Sequence, residues 1–133
     1  MTDTLFDQRD KVVLVSGGSR GIGEAIARGF AERNAHVVIT SRDAASLAEA
    51  VTRIDVGAGA VRGVVCDVAD RVAIADGVAQ AMDTHGRIDT LVNCAGMNIR
   101  KPAIDYTSDE FDTILGTNLR GAFHMSQACL LYT

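Results

Sequence analysis

The sequence predicts an α/β protein, a doubly wound parallel sheet with helices on both faces. Three observations lead to that expectation. Short apolar runs alternate with segments of helical spacing along all 133 residues. A glycine-rich turn at residues 16–23, SGGSRGIG, joins the first apolar run to the first helical segment. Strand–helix–strand units of this length imply parallel strands with right-handed crossovers.

The elements follow in order. Residues 11–16 form the first strand and 21–33 the first helix, in which Ile22, Ile26 and Phe30 recur every four residues. The second strand is 35–40. Asp43 can cap the next helix, where Leu47, Ala50, Val51 and Ile54 share a face. The glycine-rich stretch 57–59 ends it, and 60–66 is the third strand. Ile74, Val78, Ala81 and Met82 mark the apolar side of the third helix, which Gly86 stops. The fourth strand is 88–94. After a loop with the chain's only proline, Pro102, Thr107 and Glu110 make a capping box. The helix it opens turns Phe111, Ile114, Leu115, Leu119, Ala122 and Phe123 inward and continues to the end of the chain.

Composition bounds the function. Apolar residues are 47% and charged residues 23%, as in a soluble globular chain with one core. A net charge of −4 without a Lys/Arg cluster argues against a nucleic-acid partner. The first ten residues lack the features of a secretory signal, and no apolar run is long enough to span a membrane. The expected compartment is the cytoplasm, with no membrane partner. Three scattered cysteines, Cys66, Cys94 and Cys129, read as small buried hydrophobes rather than a disulfide or metal framework. No linker or repeat interrupts residues 1–133, so one domain is expected.

The glycine turn points to chemistry. Gly17 can take the turn conformation, Gly21 lets backbone approach an anion, and Gly23 lets helix pack close to strand. The N–H groups of the helix N-terminus then face the diphosphate of a dinucleotide. If the strand order is the Rossmann order 3-2-1-4, the nucleotide lies at the carboxyl ends of the strands. Residues 16–23, 40–42, 66–68 and 93–96 meet there.

Four motifs in order resemble a classical short-chain dehydrogenase/reductase: Gly-x-x-x-Gly-x-Gly after strand one, Asp67-Val68 after strand three, Asn93-Cys94-Ala95-Gly96 after strand four, and Asn118 in the next helix. Cys94 replaces the usual second Asn of the third motif. The resemblance covers essentially the whole chain. It implies that Gly17, Ser19, Arg20, Gly21, Ile22 and Gly23 surround the diphosphate and nearby ribose. Asp67 and Val68 would meet the adenine, Asn93, Ala95 and Gly96 would line the cofactor cleft, and Asn118 would join the catalytic group by holding a water. Asp67 also reads as a turn residue, and Asn118 as a core amide.

The end of strand two selects the cofactor. An Asp or Glu there favours NAD; this chain has Thr40-Ser41-Arg42. Ser41 takes the acidic position, Arg42 offers a planar fork to a phosphate, and Arg20 adds a second cation, so NADP is favoured over NAD. Asp43 reads as a helix cap. The stretch Asn98-Ile99-Arg100-Lys101-Pro102, with Ser41-Arg42, resembles the tropinone-reductase-like branch.

The family's Ser and Tyr-x-x-x-Lys are not in the chain. Tyr106 is followed four residues later by Glu110, Tyr132 is penultimate, and no lysine follows Lys101. The expectation is an amino-terminal piece of an NADP-dependent carbonyl reductase or alcohol dehydrogenase, a Rossmann domain incomplete at its C-terminus and truncated before the fifth strand. It would be inactive alone. The complete enzyme would act on a small carbonyl or alcohol as a homo-oligomer. The alternatives are a non-catalytic dinucleotide-binding module or structural remnant, and a flavodoxin-like domain, which does not explain residues 93–96 and Asn118.

Overall fold

The computed structural model describes residues 4–55 and 60–132, so the glycine stop expected at 57–59 lies outside the described residues. The elements are β1 (Val12–Ser16), α1 (Gly21–Ala31), β2 (His36–Ser41), α2 (Ala44–Ile54), β3 (Val61–Val65), α3 (Arg71–His85), β4 (Thr90–Asn93), α4 (Ser108–Leu115), a π-helical stretch (Gly116–Gly121) and α5 (Ala122–Leu130). Short 3₁₀ turns cover Thr4–Phe6 and Ala103–Asp105. The four strands pair in parallel in the order β3-β2-β1-β4, the Rossmann-type order expected from the sequence.

The local signals explain the element ends. Asp43 caps α2, accepting from the Ser46 N–H at 2.7 Å. Asp70 caps α3 through the N–H groups of Val72 and Ala73. Gly86 ends α3 in the left-handed region, at φ 72°, where a side chain would be strained. Thr107 and Glu110 form the reciprocal capping box of α4.

The strands alternate between two cores. Val13, Val15, Val37 and Ile39 face α1 and α2, meeting Ala27, Ala31, Leu47, Ala50 and Ile54. Leu14, Val38 and Val64 face the other way, toward Ile74, Val78 and Ala81 of α3 and Met125 and Cys129 of α5. All five residues of β1 are buried, as a strand covered on both faces requires.

Two helices turn differently from expectation. In α1 the buried stripe is Gly23, Ala27 and Ala31, one residue round from the predicted one, and Ile22 is 76% exposed. The small residues win because α1 lies very close to the turn before it: a Cβ on Gly23 would sit 2.1 Å from the Gly17 carbonyl oxygen. In the last helical region Phe111, Leu115, Leu119 and Phe123 point outward, which corrects the inward face expected for them. Ile114 and Ala122 are only half-buried. The buried positions are Thr117, Gly121, Met125 and Cys129. Gly121 permits this contact, since a Cβ there would lie 2.8 Å from the Val68 carbonyl oxygen. The helix is also not continuous α, because six residues adopt the wider π turn.

Candidate functional site

At the carboxyl ends of the strands, the loops after β1, β2, β3 and β4 enclose a cleft of about 450 Å³. The first wall is the glycine turn. The N–H groups of Gly17 and Gly18 donate to the Thr40 carbonyl at 3.0 and 3.1 Å, which ties the turn to β2. Gly17 has φ 77°, and a Cβ there would meet the Ala95 nitrogen at 2.5 Å, so only glycine lets this turn sit against the loop after β4. Gly21 has φ 57° and faces open space at the start of α1.

Eleven of the predicted site residues line the cleft: Gly17, Ser19, Arg20, Gly21, Ile22, Gly23, Ser41, Arg42, Val68, Ala95 and Gly96. Arg20 and Arg42 are exposed, and neither forms an ion pair with a described residue. The Ser19 hydroxyl donates to Ser41 Oγ at 3.1 Å, linking the glycine turn to the end of β2. Asp43 points to its own helix: the Ser46 backbone N–H, with its side chain, holds the carboxyl below the usual carboxylate range.

Three predicted residues are not in the lining. Asp67 accepts from the Ala69 N–H at 2.9 Å and so closes its own turn. Asn93 is exposed and donates to Ser126 Oγ at 3.1 Å, tying β4 to α5. Asn118 lies in the π-helical stretch, and its amide clasps Met97. Its Oδ1 accepts from the Met97 N–H at 2.7 Å, and its Nδ2 donates to the Met97 carbonyl at 2.8 Å. Asn118 therefore shapes the loop after β4 from behind, using both ends of its amide.

The cleft also takes in Thr40, Cys66, Cys94, Met97 and Thr117. Met97 and Thr117 fall outside the motifs. They enter because Asn118 holds one and the π turn brings in the other, and neither event has a side-chain signature in the sequence. Thr40 Oγ1 is buried in the wall without a hydrogen-bond partner among the described residues. Burial pushes the thiols of Cys66 and Cys129 up to about 11, so neither is a nucleophile at neutral pH. Lys101 pairs with Glu110 at 2.5 Å, and Tyr106 donates its hydroxyl to the Ile99 carbonyl. Both thus brace the loop between β4 and α4. Among the described residues no group of three or more potential ligands could hold a metal ion, and no helix is long and apolar enough to cross a membrane.

Known proteins share this arrangement. The chain is 38% identical over 120 residues to the short-chain reductase protein NovJ of Streptomyces niveus, covering 90% of this chain and 46% of that protein. It is 35% identical over 127 residues to a tropinone reductase homolog of Arabidopsis thaliana, covering 95% and 48%. The structure of a short chain dehydrogenase from Mycobacterium smegmatis superposes with a TM-score of 0.89 at 35% identity, covering 95% of this chain and 52% of the other. A blue fluorescent protein from a metagenomic library, solved in complex with NADPH, superposes with a TM-score of 0.86 at 32% identity, covering 94% and 52%. The chain thus spans about half the length of the relatives it matches. The family model for short chain dehydrogenase matches residues 11–132, and with the fold and the glycine turn it identifies this chain as a member of the short-chain dehydrogenase/reductase family.

Proposed function

We propose that this chain is the dinucleotide-binding portion of an NADP-dependent oxidoreductase that interconverts a carbonyl and an alcohol. The family binds NAD(P); the preference for the phosphorylated cofactor is our reading. It rests on one observation: the end of the cleft between the glycine turn and β2 carries two exposed guanidinium groups, Arg20 and Arg42, and no available carboxylate. No acid lines the cleft, and Asp43, next to Arg42 in the chain, is engaged as a helix cap. A 2′-phosphate would meet Arg42 and Arg20, whereas the ribose hydroxyls of NAD would find no acceptor carboxylate.

The residues present fit the group. The cradle at Gly17 and Gly21 leaves backbone free to approach a diphosphate, and the N-terminus of α1 opens toward it. Gly17, Ser19, Arg20, Gly21, Ile22 and Gly23 would hold the diphosphate and its ribose. Val68 would lie on the adenine, with Asp67 shaping its turn. Ala95 and Gly96 would form the floor, held by Asn118 through Met97. When bound, the dinucleotide supplies the hydride. In this reading Asn118 contributes by fixing the loop after β4, and Asn93 by anchoring β4 to α5.

We read residues 1–133 as a single cofactor-binding domain, incomplete relative to its relatives. The proton-transfer pair Tyr-x-x-x-Lys that the family resemblance implies is not among these residues, so the carbonyl chemistry is proposed for the whole protein. The exposed apolar row on α4 and α5 supports a homo-oligomeric complete protein.

Calorimetric titration with NADPH and NADH tests the assignment. We expect tighter NADPH binding. Arg42→Ala should weaken NADPH by about ten- to a hundredfold, as for a lost charge-assisted contact, and leave NADH nearly unchanged. Equal affinities in the parent chain would overturn the cofactor choice.

A further inference from the structure

Arg53 is not among the residues that line the cleft, yet it reaches from α2 to the back of the glycine turn. Its Nε and Nη2 donate to the two carboxylate oxygens of Glu24 at 3.0 and 2.9 Å, a two-point grip. The same Nη2 donates to the Ser19 carbonyl at 3.2 Å. Ser19 is buried, and its hydroxyl in turn donates to Ser41 Oγ. A continuous chain of contacts therefore runs from Arg53 through Ser19 to Ser41, beside Arg42.

We propose that Arg53 is a positioning residue for the phosphorylated-ribose end of the cleft, holding Ser19 so that Arg20, Ser41 and Arg42 face a second phosphate together. This rests on the NADP reading above. Two features give it direction. The diphosphate end is anchored separately, by the bonds from Gly17 and Gly18 to Thr40. Residues 19–20 lack that anchor: Arg20 is extended (φ −160°, ψ 166°), and its side chain makes no cap to α1. Loss of the Arg53 contact should then disturb the second phosphate more than the first.

Arg53 also neutralises Glu24, a carboxylate in the first turn of α1, where an unpaired negative charge would repel any anion. Arg28 supplies the control. It pairs with the same Glu24 at 3.6 Å, and among the described residues its side chain makes no hydrogen bond to the glycine turn. Charge alone predicts that the two arginines act alike; positioning predicts that only Arg53 is selective.

The experiment compares adenosine 2′,5′-bisphosphate with adenosine 5′-monophosphate, binding each to the whole chain by calorimetry. The parent should prefer the bisphosphate. Arg53→Met should weaken the bisphosphate by about tenfold and the monophosphate by less than about twofold. Arg28→Met should change neither by more than about twofold. If Arg53→Met does not fold, Arg53→Lys keeps the charge opposite Glu24 without the planar fork and should show a smaller loss, still selective for the bisphosphate. An equal loss for both ligands, an Arg28→Met effect matching that of Arg53→Met, or a parent-like Arg53→Lys would overturn the positioning role and leave the cofactor reading standing. A parent without preference between the ligands overturns the cofactor reading, and the positioning role with it.

Discussion

Leu14 and Leu91 are partners in register on neighbouring strands, and both face the core of α3 and α5. Leu14 has no exposed surface, whereas Leu91 is only half-buried. The difference lies in the neighbours. β1 is flanked by β2 and β4 and covered on both faces. Among the described residues β4 pairs with β1 alone, and no residue of β4 is fully buried. Identical side chains in register on neighbouring strands thus do unequal work, because a strand's burial is set by what lies beside it. β3, at the other edge, carries Arg62, whose guanidinium donates to Thr84 Oγ1 at 3.0 Å. Such a charge discourages further pairing. β4 has no comparable group: Asp89, just before it, turns its carboxylate inward, accepting from the Val12 N–H at 2.8 Å.

The largest expected effect tests that inequality directly. Leu14→Ala should cost about 2–5 kcal/mol of unfolding free energy, as for a fully buried leucine that leaves a cavity. Leu91→Ala should cost less, about 1–2 kcal/mol, since part of its surface already meets water. Urea denaturation of both variants measures the pair. Equal losses would mean that β4 is covered in solution by something the isolated chain does not show.

The second prediction concerns the open side. Phe111, Leu115, Leu119 and Phe123 stand four residues apart and are exposed. The chain should self-associate through this row. Leu119→Lys with Phe123→Lys should weaken association by at least about tenfold, the scale of losing central apolar contacts. Light scattering after size exclusion reads the mass. A parent chain that runs as a monomer at high concentration would break this part of the comparison.

Much of this architecture was legible in the sequence. The four strands announced themselves as apolar runs, and Asp43, Gly86 and the Thr107/Glu110 box marked helix ends by chemistry that acts over a few residues. What was not legible was which face of a helix would be covered. Periodicity finds an apolar stripe without saying what the stripe meets. In α1 the stripe containing Ile22 lost to a glycine–alanine stripe that permits closer packing, and in α4 and α5 the apolar stripe points away from the core. The π turn was equally hidden, since a shift to wider hydrogen bonding leaves no composition signal. The lining of the cleft was readable where glycine and charge mark it, at Gly17–Gly23 and Ser41-Arg42. Asp67, Asn93 and Asn118, read from the same motifs, lie outside that lining and hydrogen-bond to Ala69, Ser126 and Met97.

The smallest expected effect lies in the closed side, where α3 meets β2. The rings of His36 and His85 lie 5.4 Å apart, tilted by 30°. His36 Nδ1 and His85 Nε2 are buried without a hydrogen-bond partner among the described residues. Burial first, then the charges of His36 and Arg62, hold His85 below the ordinary histidine pKa. The sign follows. As pH falls through about 6.5, the unfolded chain takes up this proton before the folded one does, so folding stability drops. The drop ends once the folded state is protonated too. Glu24, Asp89 and Glu110 also sit below their ordinary values, and they add a separate loss at lower pH, in the carboxylate range. Unfolding free energy measured against pH should therefore fall in two steps. His85→Gln should remove the upper step and leave the lower one. A parent chain whose stability stays flat between about pH 7.5 and 5.5 would mean that the histidine pair is solvated in solution, and that α3 grips β2 less tightly than the fully buried β1 on the same face requires.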